Sequence, residues 1–171
     1  MLVHESLNDF LSEKGEHINE ISLGGSHLER MGTGMKASIK RWFDKAGISS
    51  EKYTINDDLT IDVIGDLNLE GTQITSLPDN LSVGGYLDLE GTPITSLPNN
   101  LSVKGGLNLE GTPITSLPDN LSVGGYLDLE GTPITFLPDN LSVRGSLYLN
   151  GTQIISLPKD LKVGGDIYKD F

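Results

Sequence analysis

The residues best placed to do chemistry are carboxylates that recur every twenty positions. Glu70, Glu90, Glu110 and Glu130 form one series, which Asn150 continues, and a second, two residues earlier, alternates amide with carboxylate in Asn68, Asp88, Asn108 and Asp128. A pair such as Asp88 and Glu90 has the groups for acid–base hydrolysis, because like charge raises one pKa. That chemistry also needs two carboxyls in different surroundings about a substrate. Here the surroundings recur almost unchanged from copy to copy, so no catalytic residue is assigned and no enzyme is expected. Carboxylate oxygens also suit calcium or magnesium, but the sequence holds neither a helix–loop–helix calcium loop nor a G-G-x-G-x-D repeat. No metal and no cofactor is expected. The pairs Asp79-Asn80, Asp119-Asn120 and Asp139-Asn140 read as turn residues. The chain has no cysteine, which removes disulfides, thiolate ligands and thiol nucleophiles. His4, His17 and His27 all precede the repeats, so a histidine triad or ligand cluster is not expected.

What must position these carboxylates is a pattern of twenty residues written five times between Ile61 and Asp160, with a truncated sixth copy from Leu161. The fourth copy reads LSVGGYLDLEGTPITFLPDN. Such a period predicts a solenoid, in which each unit buries its apolar face only against the next. Valine is always third, from Val63 to Val163. The pair L-x-L follows, as in Leu87 and Leu89, with the two-residue period of a strand buried on one face. Isoleucine and Leu-Pro come later, as in Ile94 and Leu97-Pro98. One unit is therefore expected to be a short strand, a Gly-Thr turn, an extended or tight helical return arm, and a polar turn. Parallel stacking at ~4.8 Å per coil gives a rod about 25 Å long. The threonine after each turn glycine, Thr72 through Thr152, is expected to bond between adjacent coils.

The stretch L-x-L-x-x-T-x-I-x-x-L-P, for example Leu87 to Pro98, resembles the short bacterial leucine-rich repeat with leucine-proline in its return arm. The resemblance covers Ile61 to Asp160. It implies a solenoid with parallel strands on one face, extended or 3-10 return arms and a concave binding surface. Family members carry asparagine where this chain has Thr72, Thr92, Thr112, Thr132 and Thr152, so threonine stands in for the asparagine ladder. The near-identical units also resemble repeat proteins of bacteria and their large phages. A parallel β-helix is the structural alternative.

In that family the residues between the ladder leucines face outward and commonly bind partners. Applied here, the face carries Asn68, Asp88, Asn108, Asp128 and Tyr148 in one column and the glutamates Glu70, Glu90, Glu110 and Glu130 beside it. A third column holds Asp66, Tyr86, Gly106, Tyr126, Ser146 and Asp166, and Tyr168 and Asp170 extend the face. Stacked carboxylates sum to an acidic stripe, with Tyr86, Tyr126, Tyr148 and Tyr168 as aromatic anchors. The expected function is docking a basic protein, with a DNA-mimic inhibitor as one variant. Duplicated units inheriting a merely soluble exterior would give the same stripe. The rival reading is a structural component that self-associates through the solenoid ends; the alternative at the last coil is local closure by Tyr168 and Phe171.

A solenoid needs its first coil covered. Residues 35–60 supply a candidate: Ile39, Trp42, Phe43 and Ala46 make one apolar stripe on a helix over 35–46, Gly47 ends it, and Ile48 follows. Tyr53-Thr54-Ile55 reads as a short strand closed by a turn at 56–58. Lys36, Lys40, Arg41 and Lys45 cover the helix's other side. Residues 1–34 divide into a short amphipathic helix over 4–14, with Leu7, Phe10 and Leu11, and a glycine-rich linker over 15–34. The repeats with their sixth copy occupy 61–171. The formal charge of −12 disfavours direct nucleic-acid or anionic-membrane binding. Neither a secretory signal nor a membrane-spanning run is expected, and the expected location is the cytoplasm, bacterial or phage-infected on the family resemblance.

Overall fold

The computed structural model describes residues 25–170. The helix expected over 4–14, His4, His17 and Phe171 lie outside them. A helix, α1 (Gly25–Lys45), precedes thirteen short strands, β1 to β13, in two sheets that wind as one solenoid. It starts ten residues before the expected Met35, so the second half of the supposed linker is helical. The reason is that the apolar stripe continues backwards: Met31 is buried and Met35 half-buried, eight and four residues before Ile39. That spacing outweighs about 1 kcal/mol per helical glycine at Gly32 and Gly34.

The chain leaves α1 as its sequence dictates. Gly47 takes a left-handed φ of 72°. Its N–H donates to the Asp44 carbonyl at 3.1 Å, and the Ile48 N–H donates to the Phe43 carbonyl at 3.0 Å, the paired bonds of a Schellman stop. Ile39, Trp42, Ala46 and Ile48 pack against the core that holds Phe43. The Trp42 indole N–H donates to the Ser76 carbonyl at 3.0 Å, tying the helix to the first return arm. Strand β1 (Tyr53–Ile55) then pairs antiparallel with β2 (Ile61–Val63) and closes the first edge of one sheet.

Each repeat contributes two strands where the sequence predicts one. L-x-L supplies a six-stranded parallel sheet, from β3 (Leu67–Asn68) to β13 (Ile167–Tyr168). The preceding L-S-V supplies β2 and its successors in a seven-stranded sheet, all parallel except β1. The physical cause lies in L-S-V itself, since its first and third residues point inward and its serine outward, as in Leu81, Ser82 and Val83. Identical residues align across coils: Leu67 with Leu87, Leu107 and Leu127, and Val63 with Val83, Val103 and Val123. Return arms carry no regular secondary structure, and their Ile94, Leu97, Ile114 and Leu117 complete the core.

The two walls meet at a glycine corner. The second residue of each corner is glycine in all six coils, from Gly65 to Gly165. Successive corners bond directly: the Gly105 N–H donates to the Gly85 carbonyl at 2.9 Å, and the Gly125 N–H to the Gly105 carbonyl at 2.7 Å. The residue before it alternates after Ile64, running Gly84, Lys104, Gly124, Arg144 and Gly164.

The threonines act differently from the expectation. The hydroxyls of Thr72, Thr92, Thr112, Thr132 and Thr152 each donate to a carbonyl three residues earlier in their own coil, at 2.7–2.8 Å. They seal the turn after the strand instead of bridging coils. The turn glycine before each, with φ between 61° and 68°, aims the hydroxyl back at that carbonyl.

Candidate functional site

The outward face of the six-stranded sheet is a lattice with coils as rows and the sixth, eighth and tenth repeat positions as columns. Strand alternation brings these positions outward, because the leucines between them are buried. The second coil presents Tyr86, Asp88 and Glu90, the third Gly106, Asn108 and Glu110, and the fourth Tyr126, Asp128 and Glu130. The fifth presents Ser146, Tyr148 and Asn150.

The column between tyrosine and glutamate is less open than expected. Asp88 and Asn108 are buried, with 7% and 8% of their surface exposed, and Asp128 is half-buried. Their first duty is local. The side-chain oxygens of Asn68, Asp88, Asn108 and Asp128 each accept the backbone N–H two residues on, at 2.9–3.1 Å. Asp66 is likewise engaged, accepting the Tyr86 N–H at 2.7 Å. A period-two pattern predicts the direction of these side chains but not the taller neighbours that cover them.

The four tyrosines form one continuous row. Ring centroids lie 5.7 Å apart for Tyr86 and Tyr126, 6.1 Å for Tyr126 and Tyr148, and 4.8 Å for Tyr148 and Tyr168. The last pair is stacked within 8° of parallel, while Tyr126 and Tyr148 meet at 90°. Gly106 makes room for the row, because a β-carbon there would lie 2.6 Å from the Tyr126 ring. Burial, followed by the contact with Tyr126, pushes the Tyr86 hydroxyl above the usual phenol range, and Asn108 pulls the other way. The signal for this packing was in the sequence, since Gly106 is the only glycine of its column and tyrosines lie one coil away on both sides.

The glutamate column is divided. The amides of Asn108 and Asn150 donate to Glu90 and Glu130, whereas Glu70 and Glu110 are exposed. Glu110, Asp128 and Glu130 each bring a carboxylate oxygen within 4.8 Å of the others. Partial loss of water around the Glu110 carboxylate, and then the negative charges of Glu90, Asp128 and Glu130, raise its pKa. Asp128 is raised chiefly by burial, with Glu130 and Glu90 adding and the Glu130 N–H opposing. Such oxygens can solvate a cation, whether a metal, a guanidinium or an ammonium.

The sign of the pH effect follows. A carboxyl with a raised folded-state pKa holds its proton more firmly in the native state, so stability increases as pH falls through the window between its unfolded and folded values. Mild acidification from neutral pH is therefore expected to raise the melting temperature. Further acidification reverses the trend once Asp57 and Asp58 protonate, because Lys36 and Thr60, respectively, hold those pKa values down. Asp128→Asn should reduce the rise and stabilise the protein at neutral pH by less than ~1 kcal/mol, since half-exposed carboxylates are screened. Thermal melts of both proteins across pH check this, and an unchanged profile in the variant refutes the assignment to Asp128.

At the capping site, Trp42 and Phe43 are in edge contact at 4.9 Å, and Phe43 stacks on Tyr53 at 3.8 Å. Lys40, Arg41 and Lys45 are exposed, and the half-buried Lys36 pairs with Asp57 at 2.7 Å. Among the described residues no helix is long and apolar enough to cross a membrane. No family model, curated protein or solved structure matches the chain.

Proposed function

We propose that this chain is a non-catalytic binding module that docks a basic protein on the outward face of its six-stranded sheet. The observation that carries the reading is the lattice itself. A contiguous tyrosine row borders the acidic columns on the outward face of the six-stranded sheet. Tyrosine gives large contact area for little conformational entropy, and the carboxylates add attraction and orientation. The likeness of the repeat to short bacterial leucine-rich repeats supports the same reading. Two rings are half-covered by their neighbours, so the row offers edges and hydroxyls as well as open faces.

DNA mimicry is the less supported variant. The face carries at most two carboxylates per coil, or two charges per ~4.8 Å, against one per ~1.7 Å of duplex. Self-association is favoured by one observation: the last described coils expose Ile155, Leu157, Ile167 and Tyr168. Sedimentation over a concentration series tests it, and a strictly monomeric species at high concentration removes it.

The docking reading is tested by reversing Glu70, Glu90, Glu110 and Glu130 to lysine. Pull-down of basic proteins from the native host, strong at low salt and weak at high salt, should disappear while the circular dichroism of the solenoid is retained. Undiminished capture by the folded variant excludes this face as the interface.

A further inference from the structure

Three departures from the repeat fall together on the return arms of the fourth and fifth coils. At the fifteenth repeat position Thr75, Thr95, Thr115 and Thr135 give way to Ile155, and at the sixteenth Phe136 interrupts Ser76, Ser96, Ser116 and Ser156. At the nineteenth, Asp79, Asn99, Asp119 and Asp139 are followed by Lys159. Both apolar replacements face solvent, Ile155 with 94% of its surface exposed and Phe136 with 57%. They are neighbours. The Gln153 N–H donates to the Ile134 carbonyl at 3.0 Å, so the two arms run side by side and each apolar residue follows two positions on. One coil spacing and one residue step place their α-carbons roughly 6 Å apart. Single exposed apolar residues are ordinary, but these two adjoin, and Leu157 is exposed beside them.

We infer that a second copy of this chain covers this patch, about a two-fold axis that runs along the return arms between the fourth and fifth coils. The inference rests on the self-association reading and moves its contact from the solenoid ends to a flank; the docking reading does not depend on it. Such an axis sets each fourth-coil arm against the partner's fifth-coil arm, with equal repeat positions opposed. Phe136 then lies within one position of the partner's Ile155. Asp139 meets the partner's Lys159, and Lys159 meets the partner's Asp139, so two opposite-charge pairs flank the apolar centre. Among the described residues neither Asp139 nor Lys159 forms an ion pair within its own chain. Charge also fixes the register. An axis between the third and fourth coils would oppose Asp119 to the partner's Asp139, and an axis through either arm would oppose like charges. Two arms a side cover less than the ~1,200–2,000 Å² of a stable complex, so the dimer is weak and forms at high concentration.

The experiment is sedimentation equilibrium of the full chain over a concentration series up to about 1 mM. The wild type should pass from monomer to dimer and stop there, because a two-fold contact closes. Phe136→Ser and Ile155→Thr restore residues that the other coils carry at those positions, so the fold should be kept, and thermal melts check that it is. Each should weaken dimerisation at least about tenfold, since a two-fold contact loses the group twice. Asp139→Lys and Lys159→Asp should each weaken it about tenfold, and the double variant should return to within about twofold of the wild type. That rescue separates this contact from association through the ends, in which Asp139 has no part. Dimerisation undiminished by both apolar reversions overturns the inference and leaves the solenoid ends as the contact. A double charge variant no tighter than the singles, or growth beyond the dimer, overturns it as well. A monomer at every concentration overturns the inference together with the self-association reading.

Discussion

Gly105→Ala is expected to destabilise the protein by about 3 kcal/mol, a loss typical of overpacking where nothing can yield. The added β-carbon would lie 2.6 Å from the Gly85 carbonyl carbon, 2.7 Å from its oxygen and 2.9 Å from the Tyr86 nitrogen. All three are backbone atoms of the preceding coil, held by the bond from the Gly105 N–H, so no side chain can swing aside. Gly111→Ala is the control. Its φ of 65° is costly for alanine, but no atom lies within 4 Å of the new β-carbon, so the expected loss is about 1 kcal/mol. Denaturant titrations of both variants separate steric clash from backbone strain. Equal losses would mean that the corner is looser than its geometry implies.

Phe43→Ala should cost about 4 kcal/mol at the first coils, the usual range for deleting a fully enclosed phenylalanine. The ring has no exposed surface and is sandwiched between Tyr53 and Trp42. Its loss also weakens the antiparallel pairing of Tyr53–Ile55 with Ile61–Val63, because Tyr53 is buried against it. Stability in a solenoid is a sum of coils and nearest-neighbour interfaces, so damage at one end stays there. Hydrogen exchange should show lost protection at residues 53–63 and retained protection around Val123 and Leu127. Uniform loss along the chain would refute a local cap.

Much of this architecture was legible because a twenty-residue period leaves few ways to bury Leu87, Leu107 and Leu127 together. The stripe Ile39, Trp42, Phe43, Ala46 and the stop at Gly47 were legible for the same reason, as local patterns with one packing solution. The second sheet was not, since three residues of L-S-V are too short for alternation to stand out from a turn. The threonine bonds were misplaced because a hydroxyl has equivalent acceptors in its own coil and the next, and only the turn geometry chooses. For the candidate site, the columns followed from strand alternation. The burial of Asp88 and Asn108 depended on the heights of neighbouring side chains, which sequence order does not state.

The fit of the Tyr126 ring over Gly106 also bears on how the chain finds its structure. Coils two and four carry the same YLDLE, and skipping a coil would cost little loop entropy, which grows only slowly with length. Mispairing of that kind would set Tyr126 directly beside Tyr86 in the same column, the relation in which Tyr148 and Tyr168 stack at 4.8 Å. Such a pairing would forfeit the seat of the Tyr126 ring over Gly106, which the native winding order keeps.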